Sequence, residues 1–196
     1  KFCGVHIIVD ELLGFFLGNN SFGLTAGNKN TKVYGVYSPI NRCGRTSLSV
    51  AFHSYFRSQE NSSLLISFDE YDSLFSVLRK ENSRDLSDVF YGYKTGDLNF
   101  AKLGECISRV EDLNIVLPAR YNEDLFYLSD NELTKFMNDI LSANLFEIIV
   151  IDFGSIGRRS MQILDMCEKI FCPVIGENNS PEMTKISEFK SLLGRN

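Results

Sequence analysis

The chain has 196 residues, 44% of them hydrophobic and 23% charged, with a formal net charge of −5. That makeup is long and apolar enough for one domain with a real core, and it excludes a chain disordered along its whole length. It also gives no global electrostatic case for nucleic acid, which is not expected as a partner.

In chain order, Val5 to Val9 reads as a buried strand and Glu11 to Leu17 as a short amphipathic helix. Residues 18–31 are rich in Gly, Asn, Ser and Thr without periodicity, which marks a linker. The expected division is therefore a tail of a preceding domain over 1–17, a linker over 18–31 and the main domain over 32–196. Lys32 to Tyr37 is a β-rich run, and Thr46 to Phe56 has helical spacing. Leu64 to Phe68 is an apolar strand. Phe100 to Val110 places Leu103, Cys106, Ile107 and Val110 on one helical face. Asn114 to Leu117 is a strand stopped by Pro118. Ser129 and Glu132 form a capping-box pattern opening a helix with Leu133, Phe136, Met137, Ile140 and Leu141 on one side. Phe146 to Ile151 is a continuous apolar run, suited to a parallel strand covered on both faces. A helix with Ile156, Ser160, Ile163, Leu164 and Cys167 on one face follows, then a strand over Lys169 to Ile175 and a last helix over Pro181 to Leu193. Strands alternating with helices predict an α/β fold with a doubly wound, mostly parallel sheet.

The cysteines are Cys3, Cys43, Cys106, Cys167 and Cys172, an odd count of five with no zinc or disulfide spacing. Reduced thiols of a cytoplasmic protein are expected. No apolar run approaches the roughly 20 residues a membrane-spanning helix needs, so no direct membrane insertion is expected. The chain starts without Met and in mid-pattern, as a piece of a longer protein would.

Three segments carry candidate chemistry. Residues 38–47, SPINRCGRTS, lie between a strand and a helix, where backbone N–H groups and the helix N-terminus can face a phosphate. Arg45 stands where a basic side chain reaches the terminal phosphates, and Thr46 where a hydroxyl takes Mg²⁺. Gly44 supplies backbone freedom before them. Alone, this loop also reads as an ordinary βα turn with Thr46 as helix N-cap. Asp69 and Asp152 each close an apolar strand, and ligands of open α/β sheets bind at such ends. Both acids also read as turn or helix caps. His6 and His53 have no visible partner, and His53 is expected on the outer face of its helix. Phe90, Tyr91 and Tyr93 read as core packing or a partner surface.

Taken together, the segments resemble the ParA/MinD family of deviant Walker P-loop ATPases, whose loop follows the pattern S-P-K-G-G-x-G-K-T. SPINRCGRT matches it at Ser38, Pro39, Gly44 and Thr46. The family's following D-x-D becomes Ser67-Phe68-Asp69 here, and its Walker B strand is matched by FEIIVID, ending in Asp152. The resemblance covers Lys32 to the end. Within the family, SPxxxCGRT with Asp85-Leu86-Ser87-Asp88 looks most like bacterial CpaE-type proteins, which pair a receiver-like domain with a MinD-like ATPase domain. The resemblance implies ATP and Mg²⁺ as cofactors. Asn41, Arg42, Cys43, Gly44, Arg45, Thr46 and Ser47 would bind nucleotide, Thr46 and Asp152 would hold the metal, and Asp69 would be the catalytic carboxylate that orients water. It further implies a homodimer that positions or assembles a protein partner. The departures are specific. The signature lysine, which in this family reaches the nucleotide across the dimer, corresponds to Ile40. The glycines after it are Asn41 and Arg42, and Arg45 replaces the loop lysine. ATP binding with weak or absent hydrolysis is therefore expected. The alternatives are a nucleotide-free pseudo-ATPase scaffold and a small-molecule enzyme of the same superfamily.

Overall fold

The computed structural model describes residues 31–70, 83–98, 100–110, 113–154, 161–175 and 181–193. The expected tail and linker lie outside the described residues except for Thr31, as do Ile156 and Ser160 of the helix expected before the last strand.

Six strands form one sheet: β1 (Lys32–Val36), β2 (Ser63–Ser67), β3 (Ile107–Val110), β4 (Leu113–Val116), β5 (Ile148–Asp152) and β6 (Lys169–Phe171). Their order is β3-β4-β2-β5-β1-β6. Every pairing is parallel except that of β3 with β4. Between them run α1 (Arg45–Ser58), α2 (Leu86–Lys94), α3 (Phe100–Glu105), a 3-10 turn (Asn122–Phe126), α4 (Asp130–Ala143) and α5 (Met161–Asp165). Then α6 (Pro181–Leu193) follows the last strand. This is the mostly parallel α/β sheet expected from the alternation of strands and helices.

The apolar strands are buried on both faces, which explains their lack of polar alternation. On one face Leu64, Ile66, Ile149 and Ile151 join Leu133, Phe136 and Met137 of α4 in the main core. In β1, Tyr34 stacks on Phe56 of α1 with ring centroids 5.1 Å apart. The expected capping box at the start of α4 is formed, with the Ser129 N–H donating to Glu132 Oε2 at 2.8 Å.

Four local readings need correction. Helix α3 stops at Glu105, and Ile107–Val110 is an edge strand antiparallel to β4. Ile107 and Val110 continue the helical spacing of Leu103 and Cys106, and a four-residue strand is too short to show a period of its own. Helix α2 was not foreseen as a helix. Its signal was the Asp85-Leu86-Ser87-Asp88 motif, where Asp85 accepts from the Ser87 N–H and the Asp85 N–H donates to Asp88. Strand β6 ends at Phe171 rather than running on to Ile175. His53 is not on an outer face: it is fully buried, with Nδ1 3.1 Å from Ser63 Oγ.

Register decides where the site falls. Asp152, at the end of β5, is level with Val36 of β1 and with Ser67 of β2. The loop leaving β1 and the residues leaving β2 and β5 therefore meet at one edge of the sheet, the carboxyl ends of three adjacent parallel strands.

Candidate functional site

Residues 38–44 carry the chain from β1 into α1. Two of them are left-handed, Arg42 at φ 59° and Gly44 at φ 81°. Gly44 is the residue before the helix, and no side chain caps the helix start. Thr46 is thus not an N-cap; it lies inside the first turn with its hydroxyl turned elsewhere. An uncapped first turn without acidic residues leaves backbone N–H groups and the positive helix end directed at the loop mouth.

Arg45, Thr46, Asp69 and Asp152 come together here. Arg45 Nε donates to Asp152 Oδ1 at 3.0 Å, and Arg45 Nη2 donates to Asp69 Oδ1 at 3.1 Å. The Thr46 hydroxyl donates to Asp69 Oδ2 at 3.3 Å. Asp152 is wholly buried, whereas the Arg45 and Asp69 side chains are 13% and 16% exposed. Burial raises the Asp152 carboxyl above the usual carboxylate range, and the Arg45 guanidinium is the first of the groups that pull it back.

Ser67 is a site residue that sequence reasoning passed over. Its hydroxyl donates to Asp152 Oδ2 at 3.4 Å and accepts from the Asp69 N–H at 3.3 Å. It ties together the two acids from the place where the resembled pattern has an acid, and that substitution was its only signal. Gly154 was also missed. It is left-handed at φ 52°, and a Cβ there would lie 2.2 Å from the Phe68 carbonyl oxygen and 2.7 Å from Asp69 Cα. The chain after β5 runs so close to the chain after β2 that only glycine fits.

The remaining loop residues divide in two. Ile40 and Cys43 are buried and pack with Ile186 and Met183 of α6, and the Cys43 thiol donates to the Ile40 carbonyl at 3.4 Å. Asn41 and Arg42 are exposed, and Ser47 is exposed on α1. Ile40 is therefore an anchor inside the chain's own fold. Phe90 is in the core, while Tyr91 is 61% exposed.

Mg²⁺ takes hard oxygen donors, and Asp69, Asp152 and Thr46 have that chemistry. Their carboxylates, however, already face a guanidinium at hydrogen-bond distance. The side chains as placed do not fit a divalent cation beside Arg45. Among the described residues, no group of three or more His, Cys, Asp and Glu could hold a metal.

The chain resembles a ParA family ATPase from Chlorobium tepidum over 85% of its own length and 69% of that chain, with a TM-score of 0.66 and 14% identity. It resembles the septum site-determining protein MinD of Pyrococcus horikoshii, complexed with Mg-ADP, over 84% of its own length and 65% of that chain, with a TM-score of 0.63 and 17% identity. The fold is that of the ParA/MinD P-loop NTPases. The VpsO kinase domain has the same fold, with a TM-score of 0.65 and 17% identity over 96% of this chain and 87% of that one. No protein-family model matches the sequence, and no curated protein does. At these identities the ParA/MinD likeness is one of fold. Among the described residues no helix is long and apolar enough to cross a membrane.

Proposed function

We propose that this domain binds ATP on the 38–47 loop and hydrolyses it at or near the background rate, as a ParA/MinD-like switch. The observation that carries this reading is the convergence of Arg45, Thr46, Asp69 and Asp152 beside an uncapped helix N-terminus. Loop amides from Asn41 to Ser47 would cradle the phosphates. Thr46 and Asp152 carry the oxygen donors of a Mg²⁺ site, but Arg45 already stands against Asp152. Asp69 would be the carboxylate that orients water.

Weak turnover follows from charge. Phosphoryl transfer is catalysed by positioning and by cations that meet the developing charge. Ile40 supplies none and is buried against α6, and Arg45 is engaged by two carboxylates. Loss of a transition-state cation of the arginine-finger kind costs on the order of 10³-fold or more in rate, whereas the amide cradle acts on bound ATP as well.

The proposal extends to a cytoplasmic homodimer that positions or assembles a protein partner, related to CpaE-type bacterial proteins with a receiver-like domain before this one. Exposure of Asn41 and Arg42 at the loop supports a surface open to a second copy. A nucleotide-free scaffold is the second reading, favoured by the Arg45 ion pairs that fill the site. Calorimetric titration with ATP separates the two. Saturable binding, lost in Arg45→Ala, is expected; absence of heat up to millimolar ATP would leave the scaffold.

A further inference from the structure

In a P-loop site a divalent cation lies between strand-end carboxylates and the phosphate oxygens, neutralising both. In this chain a side chain already stands against those carboxylates. Arg45 reaches Asp152 through Nε at 3.0 Å and Asp69 through Nη2 at 3.1 Å, with Ser67 and Thr46 completing the polar contacts of the two acids. Asp152 has no exposure to water and Arg45 little. A cation entering from solvent would have to break two charge-assisted hydrogen bonds, one of them to a wholly buried acid, and leave the guanidinium without partners. The geometry also suits the substitution. A guanidinium has donors on three nitrogens in one plane, of which Nε and Nη2 are engaged by the acids. Nη1 has no hydrogen bond to any described residue, and Arg45 opens the helix at the loop mouth where phosphate oxygens would sit.

We infer that the Arg45 guanidinium takes the place of the divalent cation at this site, so that a nucleoside triphosphate is held through Arg45 without Mg²⁺. This rests on the ATP-binding reading for its ligand, but its metal half does not. The acids are a cation site filled from within the chain, and emptying it by mutation opens it to a metal.

The test is a titration of the nucleotide-free protein with Mn²⁺, followed by the electron paramagnetic resonance signal of the free ion. The unaltered chain is expected to leave Mn²⁺ free throughout the micromolar range. Arg45→Gln is expected to bind one Mn²⁺ per chain at least tenfold more tightly, and Arg45→Gln with Asp69→Asn to lose that site. Thermal unfolding checks that each variant is folded. Arg45→Lys, which keeps a cation but shortens its reach, is the companion variant and is expected to shift in the same direction. Equal Mn²⁺ binding by the unaltered chain and the variants would overturn the inference, as would a failure of both variants to gain Mn²⁺. A second arm compares ATP binding by the unaltered chain in Mg²⁺ and in EDTA. Affinities within about twofold are expected, and a tenfold loss in EDTA would overturn the inference. Absence of ATP binding in both buffers would instead overturn the ATP-binding reading, with the Mn²⁺ arm still deciding whether Arg45 fills the cation site.

Discussion

Removing Arg45 would leave Asp152 as a buried carboxylate with no cation against it. Breaking a buried ion pair from one side costs about 3–5 kcal/mol, moderated when the stranded acid takes up a proton. Burial already lifts the Asp152 carboxyl, so the lower end is expected for Arg45→Ala. Asp152→Asn combined with Arg45→Ala should cost clearly less than the sum of the two single changes, because neither partner is then stranded. Additive losses in denaturant unfolding would contradict the pair. The placement of Arg45 was legible from the loop pattern, as was the meeting of the two acids with it. That its guanidinium turns to the acids was not, because side-chain direction depends on strand register, which pairs Asp152 with both Val36 and Ser67. His53 is a second case at this scale. Isolated on paper, it is buried against Ser63, and burial is the main cause holding its imidazole down at about 4 against an ordinary 6.5. The folded state therefore favours the neutral ring, while the unfolded chain takes up the proton first on acidification. The stability that depends on neutral His53 is present above about pH 6.5 and is lost as pH falls toward 4, at no more than about 1.4 kcal/mol per pH unit. His53→Gln should flatten the slope of stability against pH in that window, and an unchanged slope would contradict this account.

At the scale of elements, the site depends on how closely the ends of β2 and β5 approach. Gly154 makes that approach possible, since a Cβ at its position would strike the backbone of Phe68 and Asp69. Gly154→Ala must also hold a left-handed φ. The expected cost is about 2 kcal/mol or more, read as a lower midpoint of unfolding. ATP binding should weaken as well, because the collision pushes Asp69 away from Arg45. Wild-type stability in Gly154→Ala would contradict the geometry. The long apolar strands and the capped helix α4 were legible because each carries a single strong pattern. The β3 edge strand was not, because Ile107 and Val110, three residues apart, continue the helical spacing of Leu103 and Cys106 past the end of α3. Helix α2 was hidden because its capping residues read as part of a motif rather than as a helix start. The packing of α6 on the loop was equally hidden: a contact between Ile186 and Ile40 spans most of the chain and leaves no local trace.

For the molecule as a whole, the mostly parallel sheet is that of the ParA/MinD fold, and its strand ends bring two acids together around Arg45 of the loop helix. Ile40 lies in a small core with α6. Arg45 has taken up both acids. The function proposed from this arrangement is a domain that holds ATP without consuming it. The measurement that tests this most directly is the identity of the nucleotide recovered from the protein after prolonged incubation with excess ATP, separated from free ligand and resolved by anion-exchange chromatography. Intact ATP bound to the protein is the predicted result. Recovery of ADP with matching release of phosphate, or of protein carrying no nucleotide, would contradict it.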